Sequence, residues 1–242
     1  MLTDPSRAAQ IASGLQRVQE RISAACDQAG RSPEEITLIV VTKTYGVGDV
    51  QHLWNLGVRD VGENRDQEAR PKASATAGLE LRWHFVGQLQ SNKARSVARY
   101  ASVVHSVDRG SLVTALGKAA RSSGRTVDCL IQVSLDGDVA RGGAPLETVQ
   151  QLGDLVAEQE RLRLTGVMAV APLDEDPDGA FALLRTVSQR LRARHPGATD
   201  ISAGMSGDLE SAIRQGATHL RVGSAVLGER PQLGYRRDAG KE

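Results

Sequence analysis

The alternation of apolar and polar segments predicts an α/β fold, a single (β/α)8 barrel with an additional helix at its N-terminal end. Three observations carry the expectation. Eight short apolar runs recur along the 242-residue chain. Segments of helical composition separate them, and the length lies near the ~250 residues usual for such barrels.

The first segment places Ile11, Leu15, Val18 and Ile22 on one helical face, ending near Gly30 with Pro33 beyond it. The run Ile36–Val41 is apolar on both faces, as a parallel strand covered on both sides requires. Later runs fall at Val58–Val61, Trp83–Val86, Val103–Val107, Val127–Val133, Leu164–Val170, Asp200–Ser202 and His219–Val222. Between them, helical composition covers Asp49–Leu56, Asp66–Ala77, Asn92–Tyr100, Ser111–Arg121, Leu146–Glu158, Asp178–Arg194 and Asp208–Arg214. An open doubly wound sheet is the competing arrangement. Its G-x-G-x-x-G turn is missing, because the chain reads Lys43-Thr-Tyr-Gly-Val-Gly after the first strand. Nor is there a Walker A loop, since Gly110 to Lys118 has the wrong spacing and no Ser or Thr follows the lysine. No linker-like stretch divides the chain, so residues 1–242 are expected to form one domain, with 231–242 as a polar tail.

Composition narrows the function. The 30 Lys+Arg nearly cancel the 29 Asp+Glu, and aromatic residues make up 3%. That balance gives no support for a nucleic-acid or membrane partner. No run approaches the ~18 apolar residues of a membrane span, and the start, MLTDPSRAAQ, lacks a signal-peptide pattern. A cytoplasmic protein is expected, with Cys26 and Cys129 as separate thiols. The five histidines include no metal-ligand spacing, and His84 and His105 read as hydrogen-bonded core residues. The acidic run Asp174, Glu175, Asp176, Asp178 reads as a solvated loop.

Candidate chemistry starts at Lys43, at the C-terminal end of the first strand, where barrel active sites lie. With a side-chain period of two it shares a face with Val41 and Ile39. If that face points inward, burial would lower the amine's pKa and free it for attack on a carbonyl; if not, it is a solvated loop lysine. Two Gly-Ser turns follow the last two strands. Gly-Met-Ser-Gly, 204–207, leads into a helix with Ser206 placed as an N-cap, and Gly223-Ser224 opens another short helical segment. A pair of such turns after strands seven and eight is the usual phosphate site of a barrel. Arg221 should point inward with His219, needing an acceptor such as a ligand atom or the carboxylate of Glu63. A lysine nucleophile, a phosphate cradle and an inward arginine together suggest pyridoxal 5'-phosphate (PLP). A class I aldolase would share the first two features, so the arginine discriminates.

At these residues the sequence resembles the pyridoxal phosphate homeostasis proteins, which carry an alanine-racemase-like barrel of fold type III. The matching motifs are VVTKT at 40–44, VGENRDQE at 61–68, WHFVGQLQSNK at 83–93, SAGMSGDLESAI at 202–213 and LRVGSAVLGER at 220–230. The resemblance implies PLP held as an aldimine on Lys43, with Arg221 approaching the ring nitrogen. It also implies a phosphate held by Ser206 and the backbone around Met205, together with Gly223 and Ser224, and Asn64 close to the cofactor. Members of that family bind PLP and balance its supply among vitamin B6 vitamers and PLP enzymes, so PLP-dependent apo-enzymes are implied as recipients. There are departures. Tyr45 stands where relatives often carry a second lysine, Gln88 replaces a common proline, Val61 a common phenylalanine, and Arg141 a frequent lysine.

The competing function is a fold type III racemase or decarboxylase. Such enzymes complete the site with a further β-domain, and here only PQLGYRRDAGKE follows Arg230. An arginine opposite the ring nitrogen also weakens the cofactor as an electron sink. The expectation is a PLP-binding protein without catalytic turnover, and a monomer. Tyr45 reads as a packing or hydrogen-bonding residue rather than a second acid/base.

Overall fold

The computed structural model describes residues 5–138, 141–172 and 176–228. The 231–242 tail, Asp174, Glu175 and the end of the last motif, Glu229 and Arg230, lie outside them. A long helix, α1 (Pro5–Ala29), comes first, and then strands and helices alternate. The strands are β1 (Thr37–Val41), β2 (Asp60–Glu63), β3 (Arg82–Phe85), β4 (Val103–Val107), β5 (Val127–Gln132), β6 (Leu162–Met168), β7 (Asp200–Ser202) and β8 (His219–Val222). The helices after α1 are α2 (Val47–Asn55), α3 (Asp66–Ala75), α4 (Ala94–Val97), α5 (Gly110–Ser123), α6 (Val149–Ala157), α7 (Pro177–Arg194), α8 (Leu209–Arg214) and α9 (Ser224–Leu227). The eight strands are parallel and form a closed barrel in sequence order, β8 pairing with β1. The open-sheet alternative is thereby excluded.

Element positions follow the sequence reading closely, with two shifts, the expected run Leu164–Val170 becoming a strand at Leu162–Met168. The expected run at 58–61 becomes a strand at 60–63, because Gly62 and Glu63 continue it despite poor strand propensity. Gly62 faces the side chains of Ile39 and Val41 inside the barrel, where any larger residue would crowd them. Alternation then sends Glu63 to the helix side.

The main core lies between barrel and helices, where Val40, Val61, Phe85, Val104, Ile131, Val167, Leu220 and Val222 meet the buried faces of the helices. Inside the barrel, Val103, Leu130 and Met168 form a smaller apolar layer. As expected from alternation, Leu220 and Val222 join the helix-side core while His219 and Arg221 are buried on the other face.

Helix α1 buries Ile11, Leu15, Val18 and Ile22, and packs on α8, α9 and α2. Gly14 is required there, since a Cβ at that position would overlap the Val226 carbonyl of α9. Arg7 donates to the Leu227 carbonyl at 2.9 Å, and Arg31 to the carbonyls of Ile213 and Ala217, both at 2.8 Å. Leu227 and Ile213 lie at the C-terminal ends of α9 and α8, and Ala217 just beyond α8, where a cation suits the exposed carbonyls. Both cysteines are buried and unpaired. No helix among the described residues is long and apolar enough to cross a membrane.

Candidate functional site

At the C-terminal end of β1, Thr42 N–H donates to the Gly62 carbonyl at 2.9 Å and the chain turns sharply. Lys43 sits in that turn, half-buried, and shares its side of the chain with Val41. The next residue, Thr44, has φ of 71°, the one non-glycine with positive φ among the described residues. For a β-branched residue this is strained, at about 1–3 kcal/mol. What holds it is Glu68 of α3, whose carboxylate accepts from Thr44 N–H at 2.9 Å.

The opposite face of this turn is braced. Glu63 Oε1 accepts from the Thr42 hydroxyl at 2.7 Å and from Lys72 Nζ of α3 at 2.6 Å. Lys72 also donates to the Thr42 carbonyl at 2.8 Å. Burial pushes the Glu63 carboxyl above its ordinary range, while the Lys72 and Thr42 bonds pull it down. Glu63 is therefore not the acceptor of Arg221 that the sequence left open. Its strand position turns it outward, to α3.

Arg221 comes from β8, registered against Ile39, and is buried. Its guanidinium donates to Ser202 Oγ at 2.7 Å and to the Ala169 carbonyl at 2.8 Å. Burial pushes its pKa down to about 10, so it remains charged at neutral pH.

The first Gly-Ser turn departs from expectation in one respect. Gly204, at φ 88°, turns the chain after β7, but the N-cap of α8 is Asp208, not Ser206. The helix starts later than Ser206 can reach, and Asp208 Oδ1 accepts from Met205 N–H at 2.6 Å. Ser206 lines a cavity instead. The second turn behaves as expected: Gly223 precedes α9, and a Cβ on it would lie 3.1 Å from the Val41 carbonyl, so glycine allows the turn to approach β1 closely.

These elements converge on one cavity of about 300 Å³. Lys43, Asn64, Met205, Ser206, Arg221, Gly223 and Ser224 all line it, with Val41, Val86, Val170 and Gly207. Among the described residues, two cations and several hydroxyl, amide and N–H donors face it, and no carboxylate does. Apolar valines supply walls. Such a donor set suits an anionic ligand with a flat apolar body. Asn64 is held by close backbone contact with Gly87 of the WHFVGQLQ motif, where any side chain would overlap the Asn64 carbonyl.

Other singled-out residues lie elsewhere. Tyr45 is buried, donates to the Gly228 carbonyl at 2.6 Å, and does not line the cavity. The Gln88 side chain packs beside Gly142. Arg141 pairs with Asp136 at 2.6 Å and donates to the carbonyls of Val170 and Ala171, bracing the segment that follows β6. His84 and His105 are buried and hydrogen-bonded to each other at 2.8 Å, as core residues. Among the described residues no cluster could hold a metal ion. The sequence reading missed the Thr42–Glu63–Lys72 brace and Ser202. Lys72 carried no signal, since a lysine on a polar helix reads as solvated.

Comparison with known proteins agrees with the fold. The sequence profile of the family "Alanine racemase, N-terminal domain" matches residues 14–231. The pyridoxal phosphate homeostasis protein of Corynebacterium glutamicum is 44% identical over 221 residues, covering 88% of this chain and 99% of the relative. That of Mycobacterium bovis is 43% identical over 245 residues, covering 93% and 95%. Among solved structures, PipY of Synechococcus elongatus, solved with PLP bound, superposes with a TM-score of 0.80 at 31% identity, covering 90% of this chain and 100% of that one. On these matches the chain belongs to the pyridoxal phosphate homeostasis protein family, built on the alanine racemase N-terminal domain.

Proposed function

We propose that this protein binds PLP covalently, as a Schiff base on Lys43, and holds it for supply to PLP-dependent apo-enzymes rather than for turnover. The observation that carries the reading is the convergence of Lys43, Arg221 and both Gly-Ser turns on one cavity that no carboxylate lines among the described residues. The names of the relatives and the PLP bound to PipY support it. The donor set fits the cofactor. Lys43 Nζ is the amine for its aldehyde, Arg221 faces the place of the ring nitrogen, Ser206, Gly207, Gly223 and Ser224 serve the phosphate, and Asn64 and the valines flank the ring. Met205 contributes its side chain, its N–H being taken by Asp208.

PLP would supply an electron sink when bound. Arg221 is charged and offers only donors, so it disfavours protonation of a ring nitrogen beside it and weakens that sink. A cytoplasmic, single-domain monomer that keeps and passes on its cofactor fits this arrangement. The test is direct. Purified wild-type protein should show a visible absorption band, and borohydride should trap a pyridoxyl mass on the Lys43 peptide. Lys43→Ala should lose both, and retention of either defeats the assignment. Across an amino-acid panel the loaded protein should give negligible racemisation or decarboxylation, yet reconstitute an apo-enzyme. Turnover of any one amino acid would favour the racemase-like reading instead.

A further inference from the structure

Ser202 leads from Arg221 into the barrel interior. Its hydroxyl oxygen lies 2.9 Å from His105 Nδ1. His105 Nε2 lies 2.8 Å from His84 Nδ1, and His84 Nε2 lies 2.8 Å from Asp60 Oδ1. The chain thus crosses the barrel from β8 and β7 to β4, β3 and β2. Arg221 stands at the cavity, and Asp60 begins β2, at the opposite end of the parallel barrel.

Its polarity is fixed by its ends. Arginine can only donate and an ionised carboxylate can only accept. Asp60 therefore takes the proton of His84 Nε2, which leaves His84 Nδ1 as an acceptor. His105 must then donate from Nε2 and accept at Nδ1, so the Ser202 hydroxyl donates to His105 while accepting from Arg221. Every link is satisfied in one direction, with both imidazoles neutral and protonated on Nε2. Burial, the largest influence on both, pushes each imidazole below its ordinary range and favours that state. Around the chain stand Arg82 and Asp128, and His219, whose ring centre is 6.5 Å from His84 and 6.4 Å from His105. His219 Nδ1 is hydrogen-bonded to the Thr218 hydroxyl at 2.8 Å.

We propose that Asp60, His84, His105 and Ser202 are positioning residues for the cofactor: a one-way hydrogen-bond relay that anchors the Arg221 guanidinium and turns its remaining donors to the ring nitrogen. The inference rests on the PLP reading of the cavity. It implies that a change at Asp60, at the far end of the barrel, is felt at the cofactor.

Two sets of measurements test it. In the ligand-free protein, nitrogen NMR should find His84 and His105 both as the Nε2–H tautomer, with slowly exchanging protons. Ser202→Ala and Asp60→Ala should each disturb that pattern. A wild-type protein with either imidazole on Nδ1–H overturns the relay, whatever the cavity binds. In the PLP-loaded protein, both variants should shift the visible band and speed PLP release about five- to tenfold, the scale of one lost hydrogen bond. Asp60→Asn, which keeps an acceptor for His84, should restore most of both. Folding is checked by near-UV circular dichroism, and Asp60→Asn serves as the milder comparison if an alanine variant misfolds. If folded Ser202→Ala and Asp60→Ala bind and release PLP with the wild-type spectrum and rate, the inference fails while the PLP reading stands. If wild type takes up no PLP, that reading fails, and the ligand-free spectra alone decide the relay.

Discussion

Two neighbouring residues at the end of β1 divide chemistry from strain. Lys43 projects into the cavity while Thr44 adopts a positive φ, with a buried hydroxyl that has no hydrogen-bond partner. A strained residue beside a reactive one is a common way to fix direction at the expense of stability. Thr44→Gly should relieve both the strain and the orphaned hydroxyl, against a cost of about 0.5–1 kcal/mol for glycine flexibility. The expected outcome in urea titration is a gain of about 1 kcal/mol, with PLP lost several-fold faster by absorbance. A variant that is less stable would show that Thr44 is not strained. At this scale the sequence spoke clearly only where a residue's role is chemical. Lys43 and Arg221 could be placed from strand alternation, and the glycine turns from composition. Glu63 and Lys72 could not, because their partnership joins a strand to the helix side through a buried ion pair that leaves no periodic trace.

Among the elements, α1 has the least obvious connection to the cavity and a close one in fact. It packs on α9, whose first residue, Ser224, and N-cap, Gly223, line the cavity, and Gly14 sets the distance of approach. Gly14→Val should force α9 outward, costing about 1–3 kcal/mol by overpacking and loosening the Gly223–Ser224 turn. Thermal denaturation should record the loss, and alkylation of Cys26, buried on α1, should become measurably faster in the native protein. Unchanged labelling and PLP affinity would mean that α1 does not support the turn. The helical face of α1 was plain from Ile11, Leu15, Val18 and Ile22. Where it would dock was not, since periodicity reports which face is apolar and not what covers it. The same gap explains Ser206: the turn was legible, but whether Ser206 or Asp208 caps α8 depends on the path of the backbone after Gly204.

The whole barrel carries its polar groups in an unusual place, with His84, His105 and His219 inside it. Burial lowers the pKa of all three. The groups facing them include Asp60, Asp128 and Asp200, which favour protonation, and Arg82 and Arg221, which oppose it. A base whose folded pKa lies below its unfolded value of about 6.5 binds protons more readily when unfolded. Stability should therefore be fullest above about pH 6.5 and fall as pH drops through that value toward the lower folded pKa values. Glu63, with a raised pKa, pushes the other way in acid. The net loss between pH 6.5 and 5.5 should be on the order of 2 kcal/mol, read from urea titrations at each pH; a flat profile would mean that the imidazoles bind protons as readily folded as unfolded. Barrel closure has a further consequence, in time rather than energy. The second neighbour of β1 is β8, so Thr37–Val41, rich in Ile, Leu and Val, keeps one edge unpaired until His219–Val222 exists. During synthesis at ~5–20 residues per second, that wait is on the order of ten seconds. Over that interval the nascent chain presents an apolar strand edge, of the kind that draws in chaperones or neighbouring chains, and only the last strand to emerge can cover it.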